Sequence, residues 1–156
     1  MATITKERVY QVLSRVVDPE IPVLTIADLG ILRSITFEGE TVVVTITPTY
    51  SGCPAMDMIR DEITAALAEA GVAECEVRTQ YAPAWTTDWM SEGGRRRLAE
   101  FGIAPPLPVD GPVTPILCPR CASTETQTVS DFGSTACKAL RVCDNCGEPF
   151  DYFKAI

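Results

Sequence analysis

The chain has 156 residues, of which 46% are hydrophobic and 22% are charged, and its formal net charge is −8. It contains seven cysteines and no histidine. The lack of histidine excludes Ser-His-Asp and Cys-His catalysis, His-Glu-x-x-His zinc sites and iron sites built on two histidines. The acidic balance argues against nucleic acid as a partner, because binding to phosphate backbones needs clustered lysine and arginine.

The cysteines also bear on the cellular compartment. The N-terminus lacks the apolar segment that a signal peptide needs, and no apolar run approaches the roughly 18 residues of a membrane helix. We therefore expect a cytoplasmic protein without a membrane partner. Thiols stay reduced in the cytosol, so cysteines there are more often metal ligands or catalytic groups than disulfides. The odd number of seven points the same way, since seven cysteines cannot all pair.

The first part of the chain predicts an α-β-β-α-β order. Apolar residues at helical spacing indicate the first helix, and prolines end it. The second strand is β-branched at every position, and a proline suits the start of the second helix. Strands clustered beside helices indicate an α+β sandwich. The predicted elements are helices over residues 5–16 and 54–70, and strands over residues 31–37, 41–47 and 74–81.

Composition predicts where the first domain ends. Residues 82–90 are irregular and hold both tryptophans, and a short helix is expected over residues 91–101. Residues 104–115 are rich in proline, which is typical of a semi-rigid linker. We therefore expect an α+β domain over residues 1–103, a linker over 104–115 and a small cysteine module over 116–156. A module of this size usually folds only with a metal or disulfides.

The module carries two C-x₂-C pairs, Cys118 with Cys121 and Cys143 with Cys146. Their separation is close to that of four-cysteine zinc sites. Each turn can place two sulfurs on one ion, so two turns complete a closed tetrahedron, and Gly147 permits the tight backbone after the second. Strand-like segments around the pairs predict a zinc ribbon, with zinc folding the module. An iron–sulfur cluster is the alternative, because thiolates bind both.

Cys53 stands just before the predicted helix at Pro54. A helix N-terminus presents unpaired N–H groups and a partial positive charge, and both lower the pKa of a thiol. We therefore predict a reactive or metal-binding thiolate at Cys53. The alternative is an ordinary capping or buried residue. Cys137 is either a small buried residue or a fifth thiol that exchanges with the metal site.

Asp18, Glu20 and Asp28 are candidates for a carboxylate group near the Cys53 loop. Paired carboxylates can perform acid–base chemistry, and carboxylates can also bind metals. Each of the three residues taken singly is typical of a turn or a helix cap. Asp18 and Glu20 are therefore kept as additional candidates beside the cysteines.

Several motifs together resemble known families. Asp18-Pro19-Glu20, Asp28-Leu29-Gly30 and Thr47-Pro48-Thr49-Tyr50-Ser51-Gly52-Cys53-Pro54 resemble the iron–sulfur assembly domain family that includes SufT-type proteins, over about residues 5–80. The tail extends the resemblance to the whole chain, which is similar to the PaaD family of bacterial phenylacetyl-CoA epoxidase systems. The tail motifs are Cys118-Pro119-Arg120-Cys121, residues 132–138 and residues 148–154.

This resemblance implies an accessory role in maturing a multicomponent monooxygenase in phenylacetate catabolism. The implied clients are its diiron oxygenase subunit and its iron–sulfur reductase subunit. The family's first-domain cysteine corresponds to Cys53, and its ribbon cysteines correspond to the two C-x₂-C pairs. The expected metal at the ribbon is Zn²⁺, and iron or an iron–sulfur cluster is the alternative. Another cysteine often follows the Phe-Lys pair in the family, where this chain has Ala155.

The residues agree that the chain matures an oxygenase rather than being one, since they exclude a diiron oxygenase. A diiron carboxylate bundle uses Glu-x-x-His motifs, and the chain has no histidine. We therefore expect an assembly factor rather than an enzyme. A non-catalytic docking subunit held together by zinc is the alternative. A thiol enzyme using Cys53 is a third, which without histidine would depend on the helix terminus to activate the thiol.

Overall fold

The computed structural model describes residues 3–49 and 55–156. The chain divides between Trp85 and Thr86 into two compact units. None of the helices in these ranges is long and apolar enough to cross a bilayer. The elements in chain order are α1 Lys6–Leu13, α2 Ile26–Leu29, β1 Leu32–Glu38, β2 Thr41–Ile46, α3 Ala55–Glu69, β3 Cys75–Thr79, α4 Glu92–Phe101, β4 Ile103–Ala104, β5 Thr126–Ser130, β6 Lys138–Cys143 and β7 Pro149–Phe153.

The first unit is built on a three-stranded sheet in the order β1-β2-β3. β1 and β2 form an antiparallel hairpin, whereas β2 and β3 are parallel and are connected by α3. The three consecutive valines of the central strand β2 are all buried, although successive side chains of a strand point to opposite faces of the sheet. α1 and α3 pack against each other. The predicted α+β class and the α-β-β-α-β order are confirmed.

The segment between α1 and β1 differs from the prediction. The first helix ends at Leu13 rather than at residue 16, and the Ser14 side chain donates to the Tyr10 carbonyl at 2.7 Å. A short helix, α2, forms over Ile26–Leu29, where the sequence pattern predicts no helix or strand. Thr25 and Asp28 form its capping box, in which each side chain accepts from the other residue's backbone N–H. Reciprocal capping satisfies N–H groups that a short helix otherwise leaves unpaired.

The second unit contains a four-stranded sheet in the order β4-β7-β6-β5. β5, β6 and β7 are antiparallel, and the two-residue strand β4 joins the edge of β7 in a parallel sense. Helix α4 begins after the capping residue Ser91 and ends at Gly102, whose φ of 95° suits glycine. Cys118, Cys143 and Phe150 form part of a small core under the sheet.

The predicted domain boundary at residue 103 stays a prediction, and the compact units divide at a different place, after Trp85. Helix α4 belongs to the second unit, and Ala104, the expected start of the linker, lies in a strand paired with β7. The Arg95 guanidinium donates to the carbonyls of Thr87 and Pro106 at 2.8 and 2.5 Å. The Thr87 N–H donates to the Ile156 carbonyl at 3.0 Å. The Arg95 hydrogen bonds tie α4 to the residues on either side of it, whereas the Thr87–Ile156 hydrogen bond and the pairing of β4 with β7 connect this segment to the ribbon. Composition alone does not indicate these contacts.

Candidate metal centre

The four cysteines of the two C-x₂-C pairs come together in the second unit. Their Sγ atoms all lie within 4.8 Å of one another, with Cys118 and Cys146 at 3.7 Å and Cys121 and Cys143 at 3.6 Å. Cys118 and Cys143 are buried, whereas Cys121 and Cys146 are exposed. Within the described parts of the chain, no other set of three or more Cys, Asp or Glu side chains is arranged to hold a metal ion.

Two matching turns place these sulfurs. In each turn the carbonyl of the first cysteine accepts a hydrogen bond from the N–H four residues later, at 2.8 Å from Ala122 to Cys118 and at 2.8 Å from Gly147 to Cys143. Ala122 and Gly147 have positive φ values of 61° and 78°. The left-handed residue turns the chain back at the end of each pair, so that both sulfurs of a pair face the same point.

Hydrogen bonds to the sulfurs favour their ionised form. The Asn145 side-chain N–H₂ lies 3.6 Å from the Cys121 Sγ, and the Cys146 backbone N–H lies 3.4 Å from the Cys143 Sγ. The Ser123 backbone N–H and then the Asn145 amide lower the pKa of Cys121 to about 6. Donors of this kind stabilise a thiolate, which is the form of cysteine that binds metals.

Desolvation and hydrogen bonds with the neighbouring sulfurs have the opposite effect on Cys146. The Glu148 backbone N–H acts to lower the pKa of Cys146, but desolvation and the sulfurs of Cys121, Cys143 and Cys118 outweigh it and raise this pKa to about 12. Four thiolates at these separations repel one another unless a cation lies between them. The cluster is therefore arranged to take a cation, and binding one would release the protons that the thiols still carry.

The sulfur positions fit a single tetrahedral ion. Metal–sulfur bonds of about 2.3 Å in a tetrahedron place neighbouring sulfurs about 3.8 Å apart. The observed distances of 3.6 and 3.7 Å are close to this value. In an iron–sulfur cluster the four thiolates are divided between at least two irons, so some of the sulfurs stand further apart than on one ion, whereas all four Sγ atoms here lie within 4.8 Å of one another. The four cysteines thus form a closed metal-binding group, and this arrangement favours a single ion over a cluster.

The remaining cysteines lie apart from this group or outside the described residues. Cys137 is half-buried, and its Sγ is 2.9 Å from the Thr135 hydroxyl rather than among the four clustered sulfurs. Cys75 is half-buried in β3, and burial raises the pKa of its thiol. Cys53 lies outside the described residues, in the part of the chain between β2 and α3. Its predicted role as a working thiol stays a prediction.

The described residues before this segment lie at one end of the sheet. β2 and β3 are parallel, and the segment follows the carboxyl end of β2. In open α/β sheets, ligands bind beyond the carboxyl ends of parallel strands. Thr47, the first residue after β2, is buried, and its hydroxyl has no hydrogen-bond partner among the described residues.

The candidate carboxylates take the turn and cap roles that were the alternatives for them. Asp18 is buried, and its Oδ1 accepts from the backbone N–H groups of Glu20 and Ile21 at 2.7 and 3.0 Å. The Asp28 carboxylate accepts from the Thr25 N–H at 3.1 Å at the start of α2. Within the described ranges, neither Asp18 nor Glu20 joins a metal-binding group, and their role as additional ligands stays a prediction.

Comparison with known proteins decides the family. The PaaD zinc beta ribbon domain family matches residues 104–154, and the iron-sulfur cluster assembly protein family matches residues 6–78. A protein of Escherichia coli (strain K12) named as a subunit of 1,2-phenylacetyl-CoA epoxidase is 50% identical over 167 residues, which cover 100% of this chain and 98% of that protein. The chain belongs to the PaaD family. The resemblance found in the sequence motifs is confirmed.

Other relatives of this PaaD-family chain match its first domain. The Fe-S protein maturation auxiliary factor YitW of Bacillus subtilis (strain 168) is 38% identical over 88 residues, covering 55% of this chain and 85% of that protein. The crystal structure of a domain of unknown function, DUF59, from Bacillus anthracis superposes with a TM-score of 0.56 at 30% identity, covering 60% of this chain and 90% of that one. The first domain therefore has the fold of this domain family.

Sequence reasoning missed Asn145 and Ala122 as parts of the metal centre in this PaaD-family chain. Asn145 lies inside the second C-x₂-C pair, and a side-chain amide between two cysteines is the pattern that could have indicated a donor to sulfur. Ala122 follows the first pair where Gly147 follows the second. Comparing the two pairs position by position could have indicated a left-handed residue at both places.

Proposed function

We propose that this chain is an accessory maturation subunit of the phenylacetyl-CoA epoxidase system and assists iron or iron–sulfur assembly in its partner subunits. The full-length match to a named epoxidase subunit supports the system, and the relatives named as Fe-S protein maturation auxiliary factors support the assembly role. The diiron oxygenase subunit and the iron–sulfur reductase subunit are the proposed clients. The proposed compartment is the cytoplasm, where the cysteines stay reduced.

The observation that carries this proposal is the closure of the four-sulfur group. All four Sγ atoms lie within 4.8 Å of one another, so one ion would be surrounded on every side. A closed shell leaves no open coordination position for exchange, which is typical of structural sites. The thiol that handles iron as cargo must then lie elsewhere, and Cys53, in the segment after β2, is the proposed working thiol.

In this proposal the ribbon cysteines hold a resident Zn²⁺. The ligands are Cys118, Cys121, Cys143 and Cys146, and the bound ion would supply folding free energy to the small sheet, on the order of 10–16 kcal/mol in other structural sites. The chain itself favours the ionised thiol and positions the sulfurs around one point. The Ser123 N–H and the Asn145 amide favour ionised Cys121, and the positive φ at Ala122 and Gly147 closes the two turns.

Replacing the proposed working thiol tests the assembly role. The epoxidase subunits are co-expressed with wild-type protein, with Cys53→Ser or with Cys75→Ser. Cys75→Ser is the matched control, because Cys75 is the other cysteine of the first domain and lies half-buried in a strand. The expected result is low iron in otherwise assembled client subunits with Cys53→Ser, and full iron with Cys75→Ser.

The same experiment separates the proposal from its alternative. A non-catalytic docking subunit would act through its surfaces, so Cys53→Ser would leave client iron and epoxidase activity unchanged. Client iron is measured after purification of the complex, and complex formation is measured by size-exclusion chromatography. Full client iron with Cys53→Ser would reject the assembly role while leaving a docking role intact.

A further inference from the structure

A cavity of about 410 Å³ lies entirely within the second unit and away from the four cysteines. Its polar end is formed by Ser134, Lys138 and Asp151, and its apolar walls include Phe101, Ile103 and Leu140. Side chains alternate between the two faces of a strand, so Lys138 and Leu140 lie on the face of β6 opposite to that of Cys143. None of the four clustered cysteines lines the cavity, although Phe150, which belongs to the small core with Cys118 and Cys143, lies in its wall.

The side chain of Lys138 is the unusual component of this cavity. Lys138 is only 4% exposed, although lysine is rarely buried unless it is paired. It forms no ion pair or side-chain hydrogen bond with any residue in the described ranges. Its Nζ is not among the described buried polar atoms that lack a hydrogen-bond partner, so the ammonium reaches the open space of the cavity. An anion bound in the cavity would therefore gain an ion pair with a cation that has no anionic partner in the described ranges.

The acidic residue of the cavity does not supply that anion. The Asp151 Oδ2 accepts a hydrogen bond from the Ser134 hydroxyl at 2.9 Å, and no ion pair between Asp151 and Lys138 is formed. The adjoining loop is built closely around this carboxylate. A Cβ atom at Gly133 would overlap the Asp151 Oδ1, and the Gly133 N–H donates to the Lys138 carbonyl at 2.6 Å.

We propose that this cavity binds a carboxylate that carries an apolar substituent. The Lys138 ammonium pairs with the carboxylate, and the walls at Phe101, Ile103 and Leu140 cover the substituent. The cavity combines apolar walls with a few convergent polar groups, as small-ligand sites do. A singly charged carboxylate fits better than a phosphate, because the Asp151 carboxylate in the same cavity repels a dianion more strongly.

The carboxylate can come from a free organic acid or from the C-terminus of a polypeptide. Both sources present the same chemistry to Lys138, and matched probes distinguish them. The probes are 4-methylpentanoate and an acetylated tripeptide ending in leucine, which carry the same isobutyl group beside the carboxylate. Their uncharged counterparts are 4-methylpentanamide and the same peptide with a C-terminal amide.

Titration of the full-length, zinc-loaded protein tests the proposal. We expect saturable binding of at least one carboxylate probe, measured by calorimetry and by amide chemical shifts of Lys138, Leu140 and Asp151. The uncharged counterpart is expected to bind at least about tenfold more weakly, because the charge-assisted hydrogen bond is lost. Binding of the peptide alone would assign the site to a polypeptide terminus. No binding of either carboxylate, or equal binding of the amides, would overturn the proposal.

Three variants test whether the carboxylate binds in this cavity. Lys138→Met keeps the aliphatic stem and is expected to weaken carboxylate binding at least about tenfold. Lys154→Met is the matched control, because the Lys154 ammonium donates to the Asp131 carbonyl at 2.8 Å and does not line the cavity. Asp151→Asn removes a repulsive charge and is expected to tighten binding. Weaker binding by Asp151→Asn would contradict the pairing of the ligand's charge with Lys138.

One further variant guards against misfolding of Lys138→Met. Phe101 is 60% exposed, so Phe101→Ala is tolerated by the fold yet removes part of the apolar wall. It is expected to weaken binding of the carboxylate probes several-fold while the zinc content stays the same. Unchanged binding by Phe101→Ala together with unchanged binding by a folded Lys138→Met would place the ligand elsewhere.

Discussion

Ala122 and Gly147 occupy equivalent positions in the two cysteine turns of the second unit. Each donates its N–H at 2.8 Å to the carbonyl of the first cysteine of its pair, and their φ values are 61° and 78°. Left-handed backbone costs residues other than glycine about 1–2 kcal/mol, so Ala122 carries a strain that Gly147 avoids.

This relationship predicts opposite effects of exchanging the two residue types. Gly147→Ala is expected to lower the free energy of unfolding by about 1–2 kcal/mol, because it introduces the same strain at the second turn. Ala122→Gly relieves the backbone strain of the folded state, but glycine also raises the conformational entropy of the unfolded chain, which opposes folding. We therefore expect between no change and about 1 kcal/mol of stabilisation. Denaturant unfolding at fixed excess zinc measures both.

A control for the glycine substitution lies in α4. Gly93 has no left-handed backbone, and a Cβ there meets only the flexible end of Arg97 at 3.6 Å. Gly93→Ala is therefore expected to stabilise the protein by up to about 1 kcal/mol through helix propensity. Equal effects of Gly93→Ala and Gly147→Ala would contradict the role given to positive φ.

Loss of one clustered sulfur is expected to unfold the ribbon. Cys118 is buried in the small core, and a structural metal supplies much of the folding free energy of such a module. Cys118→Ser should therefore lose its metal and become rapidly cleaved within the second unit, as measured by metal analysis and limited proteolysis. Cys137→Ser, outside the cluster, is the control and should keep both metal and protease resistance. A protease-resistant Cys118→Ser protein would reject a structural metal.

The hydrogen bond from Asn145 to Cys121 predicts a change in metal affinity. Removing groups that orient or stabilise a metal ligand typically lowers affinity by about 10–100-fold, and Asn145→Ala is expected near the lower end because the donor is exposed. Competition with a chromophoric zinc chelator measures the change. Asp144→Ala in the same turn is the control, since the Asp144 carboxylate accepts a hydrogen bond from the Gln127 side chain. Equal affinities of the two variants would contradict a role for the amide.

The first unit contains an ion pair whose pH dependence can be measured. Arg78 in β3 reaches across β2 to Glu38 in β1, with Arg78 nitrogens 2.8 and 2.9 Å from the Glu38 carboxylate oxygens. The hydrogen bond from Arg78 and then its charge lower the pKa of Glu38. A carboxyl group whose pKa is lowered in the folded state stabilises the fold above its unfolded pKa of about 4.3, and this contribution is lost as the pH falls through the folded value.

We therefore expect Glu38→Gln to have a lower thermal midpoint than the wild type at pH 7, with the difference vanishing in acid. The difference should be small and should shrink with added salt, because both side chains are about half exposed. Glu40→Gln in the same hairpin is the control and should show no such pH-dependent difference. A difference that persists below the pKa of Glu38 would assign the effect to something other than its charge.

Local patterns in the sequence were sufficient for the elements and for the metal-binding group. Residues 41–47 are β-branched throughout, and the strand forms from Thr41 to Ile46. The helix expected after Pro54 is observed from Ala55 to Glu69. The two C-x₂-C pairs bring their sulfurs together as expected. These features depend on residues close together in the chain, so their spacing carries the information.

The tertiary structure alone decided the features that depend on distant partners. Arg95 ties α4 to Thr87 and Pro106, and Thr87 and β4 in turn connect this segment to Ile156 and β7, so that the second compact unit begins at Thr86. Lys138 and Asp151 line one cavity because β6 and β7 pair in a particular register. Sequence spacing encodes helices, strands and short turns, whereas a contact between distant residues exists only after the sheet register and the packing are set.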